Sequence, residues 1–373
     1  MLNSISPIDG RYERSAKELS PIFSEGGLMH YRLVVEGEYL IALSELKIKL
    51  RKLSNSEKKL IRSLYNLTEK EAQIISDIDN RGYKNIKATD HDVKAVEYFM
   101  KDKLSNTSLK DILEWIHFGL TSEDTNNLAY ALMLRDGTDV LLENLKKILL
   151  EINKLAKAHA KLPMLARTHG QSASPTTFGK EFKVFSSRLE RQINKLKKQN
   201  ILAKLNGATG NYNAHFVAYP KIDWLKFSKN FITNLNKLET STLQLQPNLI
   251  TTQIEPHDSY IEIFDNVRRI NTILIDFNQD MWRYISDEWI IQKLVGGTVG
   301  SSTMPHKINP IKFENSEGNL GMANSMFEFF ARKLPISRLQ RDLSDSTVQR
   351  NFGVAFAHSL IAYEYLLKGL SKI

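Results

Sequence analysis

Apolar residues recur at spacings of three and four along most of the chain, and that periodicity constrains the fold more than any other feature. Tyr260, Ile261, Phe264, Val267, Ile270, Ile273, Leu274, Phe277 and Met281 form one long, broad stripe on a single side of a helix. Phe178, Phe182, Phe185, Leu189, Ile193 and Leu196 form a second, which Gly207 and Gly210 are expected to end. Ser259 and Glu262 have capping-box spacing at the start of the first stripe. A further helix is expected from Pro310 to before Pro335, and a last one after Phe352. No period-two run competes, so the expected class is all-α. Long helices with wide apolar faces need several partners, and a bundle supplies them within one chain or between chains.

At 373 residues and 42% hydrophobic content, the chain can bury a sizeable core in two or three domains, or in one long helical body with additions. Polar breaks at Lys101-Asp102-Lys103 and Ser105-Asn106-Thr107-Ser108 suggest a boundary between residues 1–105, with shorter helices and loops, and residues 106–355, with the long ones. With no cysteine, disulfides, thiolate zinc sites and thiol nucleophiles are excluded. The formal net charge of +9 is spread over helix faces, as at Lys195-Leu196-Lys197-Lys198. No arginine-rich tail or basic-aromatic interleave points to nucleic acid. Met1–Pro7 lacks the basic and apolar regions of a signal peptide. Apolar runs fall short of a membrane span, so a soluble, cytoplasmic protein is expected.

Chemistry concentrates in Gly300-Ser301-Ser302-Thr303-Met304-Pro305-His306-Lys307-Ile308-Asn309-Pro310. Two adjacent hydroxyls, an imidazole, an ammonium and an amide share a stretch of loop composition after Gly296 and Gly297. Asn309 and Pro310 read as an N-cap and first helical residue, and a helix N-terminus favours anions. This stretch resembles the signature loop of the fumarase/aspartase superfamily. With the segments below, the chain resembles the adenylosuccinate lyases within it, from about Ser6 to its last residue. The resemblance implies a homotetramer whose central helices form one core and whose active sites take residues from three subunits. It implies a C-terminal domain of several helices beginning near residue 356. The chain stops at Ile373, so that domain is expected to be mostly missing, which bears on stability and assembly.

The implied reaction eliminates fumarate from a succinyl-amine. It needs a base for a weakly acidic C–H, an acid for the leaving nitrogen, and fixed positive charge near the carboxylate. By resemblance Ser301 is the base, with Lys307 stabilising its alkoxide; Ser302 is the competing hydroxyl. His169, in Arg167-Thr168-His169-Gly170-Gln171, is the general acid; histidine titrates near neutral pH. Thr89-Asp90-His91-Asp92-Val93-Lys94-Ala95 matches a substrate-contacting segment, and His91 is the competing acid. Asp90 stands where bacterial relatives usually carry Asn, adding negative charge beside an anionic substrate. Thr121-Ser122-Glu123-Asp124 reads as a helix cap in its own right and matches the segment that holds the fumarate moiety.

Gln253 matches a further substrate amide. Arg341, Ser346 and Arg350 match nucleotide-phosphate contacts, Arg11 and Tyr12 in the Ser6–Tyr12 segment match a further contact, and Thr347, Asn309 and Asn315 complete the implied substrate-binding set. No metal or organic cofactor is implied; His91 and His169 lack the spacing of metal ligands. The expected activity is conversion of adenylosuccinate to AMP and fumarate, together with cleavage of the succinyl-carboxamide intermediate of purine synthesis. Sister lyases (argininosuccinate lyase, fumarase, aspartase) and a non-catalytic helical relative are the alternatives.

Overall fold

The computed structural model describes residues 3–293 and 308–373. Ser301 and Lys307, with His306 and most of the signature loop, lie outside the described residues. After a short N-terminal segment come helices α1 (Glu25–Leu43) and α2 (Asp92–Leu104), with shorter helices between them. Helix α3 (Ser122–Ala158) is the longest, at 37 residues. It leads into an antiparallel hairpin of strands β1 (Pro163–Thr168) and β2 (Gln171–Thr177). Helix α4 (Phe178–Leu196) returns along α3 to strand β3 (Asn200–Ala203), which pairs in parallel with β4 (Gln244–Pro247). Helices α5 (Asp258–Ser286), α6 (Ile311–Lys333), the short α7 (Ser344–Gln349) and α8 (Phe352–Leu370) complete the chain.

Both apolar stripes face inward. In α5, Tyr260, Phe264, Val267, Ile270, Leu274 and Met281 are wholly buried, and in α4 the six predicted residues are all buried. Phe264 sits 5.4 Å from the Phe327 ring of α6 and 4.9 Å from the Phe352 ring of α8, so aromatic packing knits three helices together. Buried amides add register: Asn271 on α5 donates to Ser359 and accepts from Tyr363, both on α8, and Asn278 donates to Ser316 on α6. Gly137 sits within α3 where a Cβ would stand 2.4 Å from the Phe23 ring. Among the described residues no helix is long and apolar enough to cross a membrane.

Three local expectations are corrected. Helix α4 ends at Leu196, not at Gly207, because β3 intervenes. Ser259 does not cap α5: His257 occupies the N-cap, and the Ser259 hydroxyl accepts from the Leu202 N–H of β3. Helix α6 has Pro310, not Asn309, at its N-cap. The two small sheets add to an otherwise helical fold; β1 and β2 are largely exposed and have no buried residue, so no apolar alternation marks them in sequence.

Candidate active site

Helices α2 and α3 begin side by side, and their first residues shape a cleft of about 530 Å³. His91 is the N-cap of α2, and its Nδ1 accepts from the Lys94 N–H at 3.3 Å. In the neutral ring that leaves the proton on Nε2, which lies 3.2 Å from the Ser122 hydroxyl. Thr121 caps α3, where Asp124 reaches back to the Thr121 N–H at 3.0 Å in a capping-box arrangement. The expected cap is therefore present, and it aims a helix N-terminus and the Ser122 hydroxyl into the cleft.

Asp124 has a second task. Its carboxylate accepts from the Asn206 and Gly207 N–H groups and pairs with Lys204 at 3.0 Å, both partners being fully buried. Lys204 in turn donates to the backbone carbonyls of Gly207 and Gln253. Gln253 thus enters the cleft wall on a backbone held from behind, and its side chain donates to the Ala208 carbonyl at 2.9 Å.

The far wall is ionic. Asp92 pairs with Arg32 at 2.7 Å and with Arg350, which also holds Glu25 at 2.7 Å. Burial works against ionisation of Asp92, but the two arginines outweigh it and keep its carboxyl below the usual range. Arg341 stands 2.7 Å from Glu123 and 3.9 Å from Asp345. Burial pushes the Glu123 carboxyl up to about 7, against the pull of Arg341. The described cleft lining thus carries four carboxylates, from Asp79, Asp90, Asp92 and Glu123, against the two arginines Arg341 and Arg350. Both arginines are already paired, so among the described residues the cleft lining offers a multiply charged anion little spare positive charge.

The sequence-predicted residues fall into three places. Asp90, His91, Asp92, Thr121, Ser122, Gln253, Arg341, Ser346 and Arg350 share the cleft. Thr347 lies one residue beyond Ser346, exposed and not among the cleft-lining residues. Tyr12 and Asn315 meet elsewhere: the Asn315 amide donates to the Tyr12 hydroxyl at 3.0 Å near the start of α6, with Arg11 exposed beside Tyr12. Asn309, half-buried, precedes the same helix.

His169 is in the third place, at the tip of the β1–β2 hairpin. His169 and Gly170 form a two-residue turn with φ of 55° and 75°, the left-handed pair that tight hairpins require. Arg167 donates to the Gly170 carbonyl at 3.1 Å and lies over the Trp289 ring. This hairpin follows the C-terminus of α3, whereas Ser122 opens it; 37 residues at the standard helical rise place the two ends about 55 Å apart. The residues flanking 294–307 are at the hairpin's end of the bundle, where Trp289 packs on Phe178 and Lys293 donates to the Lys372 carbonyl. Sequence reasoning missed Lys204, Arg32 and Glu25. Lys204, between Ala203 and Leu205, and Arg32, inside the apolar run of α1, are charges among hydrophobes, the signal that identifies them.

A general lyase family model matches residues 10–324, and an adenylosuccinate lyase C-terminal model matches residues 337–373. The chain is 50% identical to the adenylosuccinate lyase of Legionella pneumophila (strain Corby) and 47% identical to that of Escherichia coli (strain K12); each alignment covers 100% of this chain and 79% of the relative. Its fold resembles a fumarate lyase from Mesorhizobium sp. BNC1, with a TM-score of 0.71 at 15% identity over 95% of this chain and 74% of that one. It also resembles the 3-carboxy-cis,cis-muconate lactonizing enzyme from Pseudomonas putida, with a TM-score of 0.69 at 20% identity over 93% and 73%.

Proposed function

Because the chain belongs to the adenylosuccinate lyase family, we propose that it cleaves adenylosuccinate to AMP and fumarate, and the succinyl-carboxamide intermediate likewise, in cytoplasmic purine synthesis. Ser301 removes a proton from the succinyl carbon beside a carboxylate, with Lys307 stabilising its alkoxide. The C–N bond breaks, the electron pair goes to nitrogen, and His169 supplies the proton that the amine keeps. Charge that builds on the carboxylate meets Thr121, Ser122 and the N-terminus of α3. His91, hydrogen-bonded to Ser122, orients that contact. Arg341 and Ser346 take the phosphate; Arg11, Tyr12, Asn309 and Asn315 contribute from outside the cleft.

One observation carries the assembly: the acid and the carboxylate site stand at opposite ends of α3. No single copy brings them together, so we read the active enzyme as a homotetramer with sites shared between subunits. Exposed apolar side chains on the long helices, among them Leu150, Trp282, Met322 and Phe329, are suited to that contact. The test is the ultraviolet absorbance of adenylosuccinate during turnover, with mass measured in solution. Steady conversion by a tetramer is expected. An assembled tetramer that leaves adenylosuccinate unchanged at high enzyme concentration overturns the reading.

A further inference from the structure

Arg341 enters the cleft from the irregular stretch between α6 and α7, where Leu339 has a φ of 52° and both Leu339 and Leu343 are exposed. A long side chain on such a stretch samples many rotamers, and fixing it costs entropy at the moment of binding. Here it is fixed beforehand from two sides. Glu123, in the first turn of α3, meets Nη1 at 2.7 Å, and Asp345 faces the same atom at 3.9 Å. Both carboxylates are buried, while the Arg341 side chain keeps 18% of its surface open.

Glu123, Asp345 and His257 also offer ligand atoms within 4.8 Å of one another, spacing that suits a cation. The guanidinium already fills that role, and the His257 ring is turned to Gln349 at 2.7 Å. Asp345 additionally accepts from the Ser346 N–H at 2.7 Å. A continuous chain of contacts therefore runs from the N-terminus of α3 through Glu123, Arg341 and Asp345 to Ser346.

A carboxylate lining a cleft for a phosphorylated anion repels its own ligand unless it serves a neighbouring cation. We propose that Glu123 is a positioning residue: it holds Arg341 ready for the phosphate and sets the spacing between the phosphate contacts and the carboxylate contacts at Thr121 and Ser122. This rests on the reading that Arg341 meets the phosphate.

The readout is the ratio of kcat/KM for adenylosuccinate to that for its dephosphorylated nucleoside, succinyladenosine. A general structural role lowers both alike and leaves the ratio unmoved. We expect Arg341→Ala and Glu123→Ala each to lower the ratio roughly tenfold or more, chiefly through KM, as removing one charge-assisted contact does. The double variant should fall no further than Arg341→Ala, because the two act as a unit. If Glu123→Ala does not fold, Glu123→Gln keeps the volume, removes the charge, and should shift the ratio in the same direction. A ratio unchanged by Arg341→Ala overturns the phosphate reading and this inference with it. A ratio lowered by Arg341→Ala but untouched at Glu123 overturns the inference alone.

Discussion

At its N-terminus, helix α3 is fastened by buried charge: Asp124 to Lys204, Glu123 to Arg341, and the cap at Thr121. At its C-terminus the same helix runs into a hairpin whose tip, His169-Gly170, is exposed and shaped by its own tight turn. The first region is preorganised within one chain, since its charged groups are held by ion pairs and backbone N–H groups before any ligand arrives. The second presents a catalytic candidate on a projecting element, a geometry suited to reaching into a neighbouring copy. Under the proposed function the contrast separates two jobs: holding a carboxylate needs fixed dipoles, whereas delivering a proton needs an accessible, correctly placed imidazole.

The largest expected effect tests the exposed end. His169→Ala should lower kcat by roughly 10²–10⁴-fold, the contribution of one general acid, while leaving thermal stability within about 0.5 kcal/mol, as at other exposed positions. Mixed with Ser122→Ala and reassembled, it should recover part of the activity, because some sites then draw an intact cap and an intact hairpin from different copies. No recovery in hybrids verified by mass breaks the comparison. At the fastened end, Lys204→Met leaves Asp124 charged in the interior without its cationic partner, so urea unfolding should report a loss of about 3–5 kcal/mol. A loss below about 1 kcal/mol would remove the distinction between the two ends.

The smallest effect concerns His215, which lies beneath the loop leading into α3, 2.8 Å from the Tyr39 hydroxyl. Burial pushes it down to about 4 from an ordinary 6.5. Between those values the unfolded chain binds the extra proton, so this contribution to stability is present above pH 6.5 and is lost as pH falls through 4. His215→Gln should therefore flatten the fall in melting temperature across that window relative to the parent. Glu255, pushed up to about 7 by burial, titrates in the opposite sense there, which is why the difference between the two proteins, and not either curve alone, is the informative quantity. Parallel curves would place His215 in contact with water.

Much of this was legible in the residue order. The stripes of α4 and α5 predicted buried faces because helical period alone decides which residues share a side. The Thr121–Asp124 cap was legible because capping is local. The end of α4 was not: Gly207 and Gly210 are genuine left-handed positions, but they serve the loop that closes on Asp124, and a four-residue strand comes first. Nor could spacing show that Arg350 spends its donors on Glu25 and Asp92, 325 and 258 positions away in the sequence. Long-range pairing is where sequence period carries no information. The separation of His169 from Ser122 follows only once α3 is known to run unbroken.

The Asp124 junction has a consequence for how this protein is made. Its backbone partners Asn206 and Gly207 lie 82 and 83 positions downstream, so on the ribosome the turn at Thr121 is extruded long before the groups that lock it. Until then a lone carboxylate waits at the start of a growing helix. Closing so distant a pair is slow even where its entropy cost rises only logarithmically with the intervening length. Translation must pass the middle of the polypeptide before the cleft wall at Thr121 and Ser122 can set.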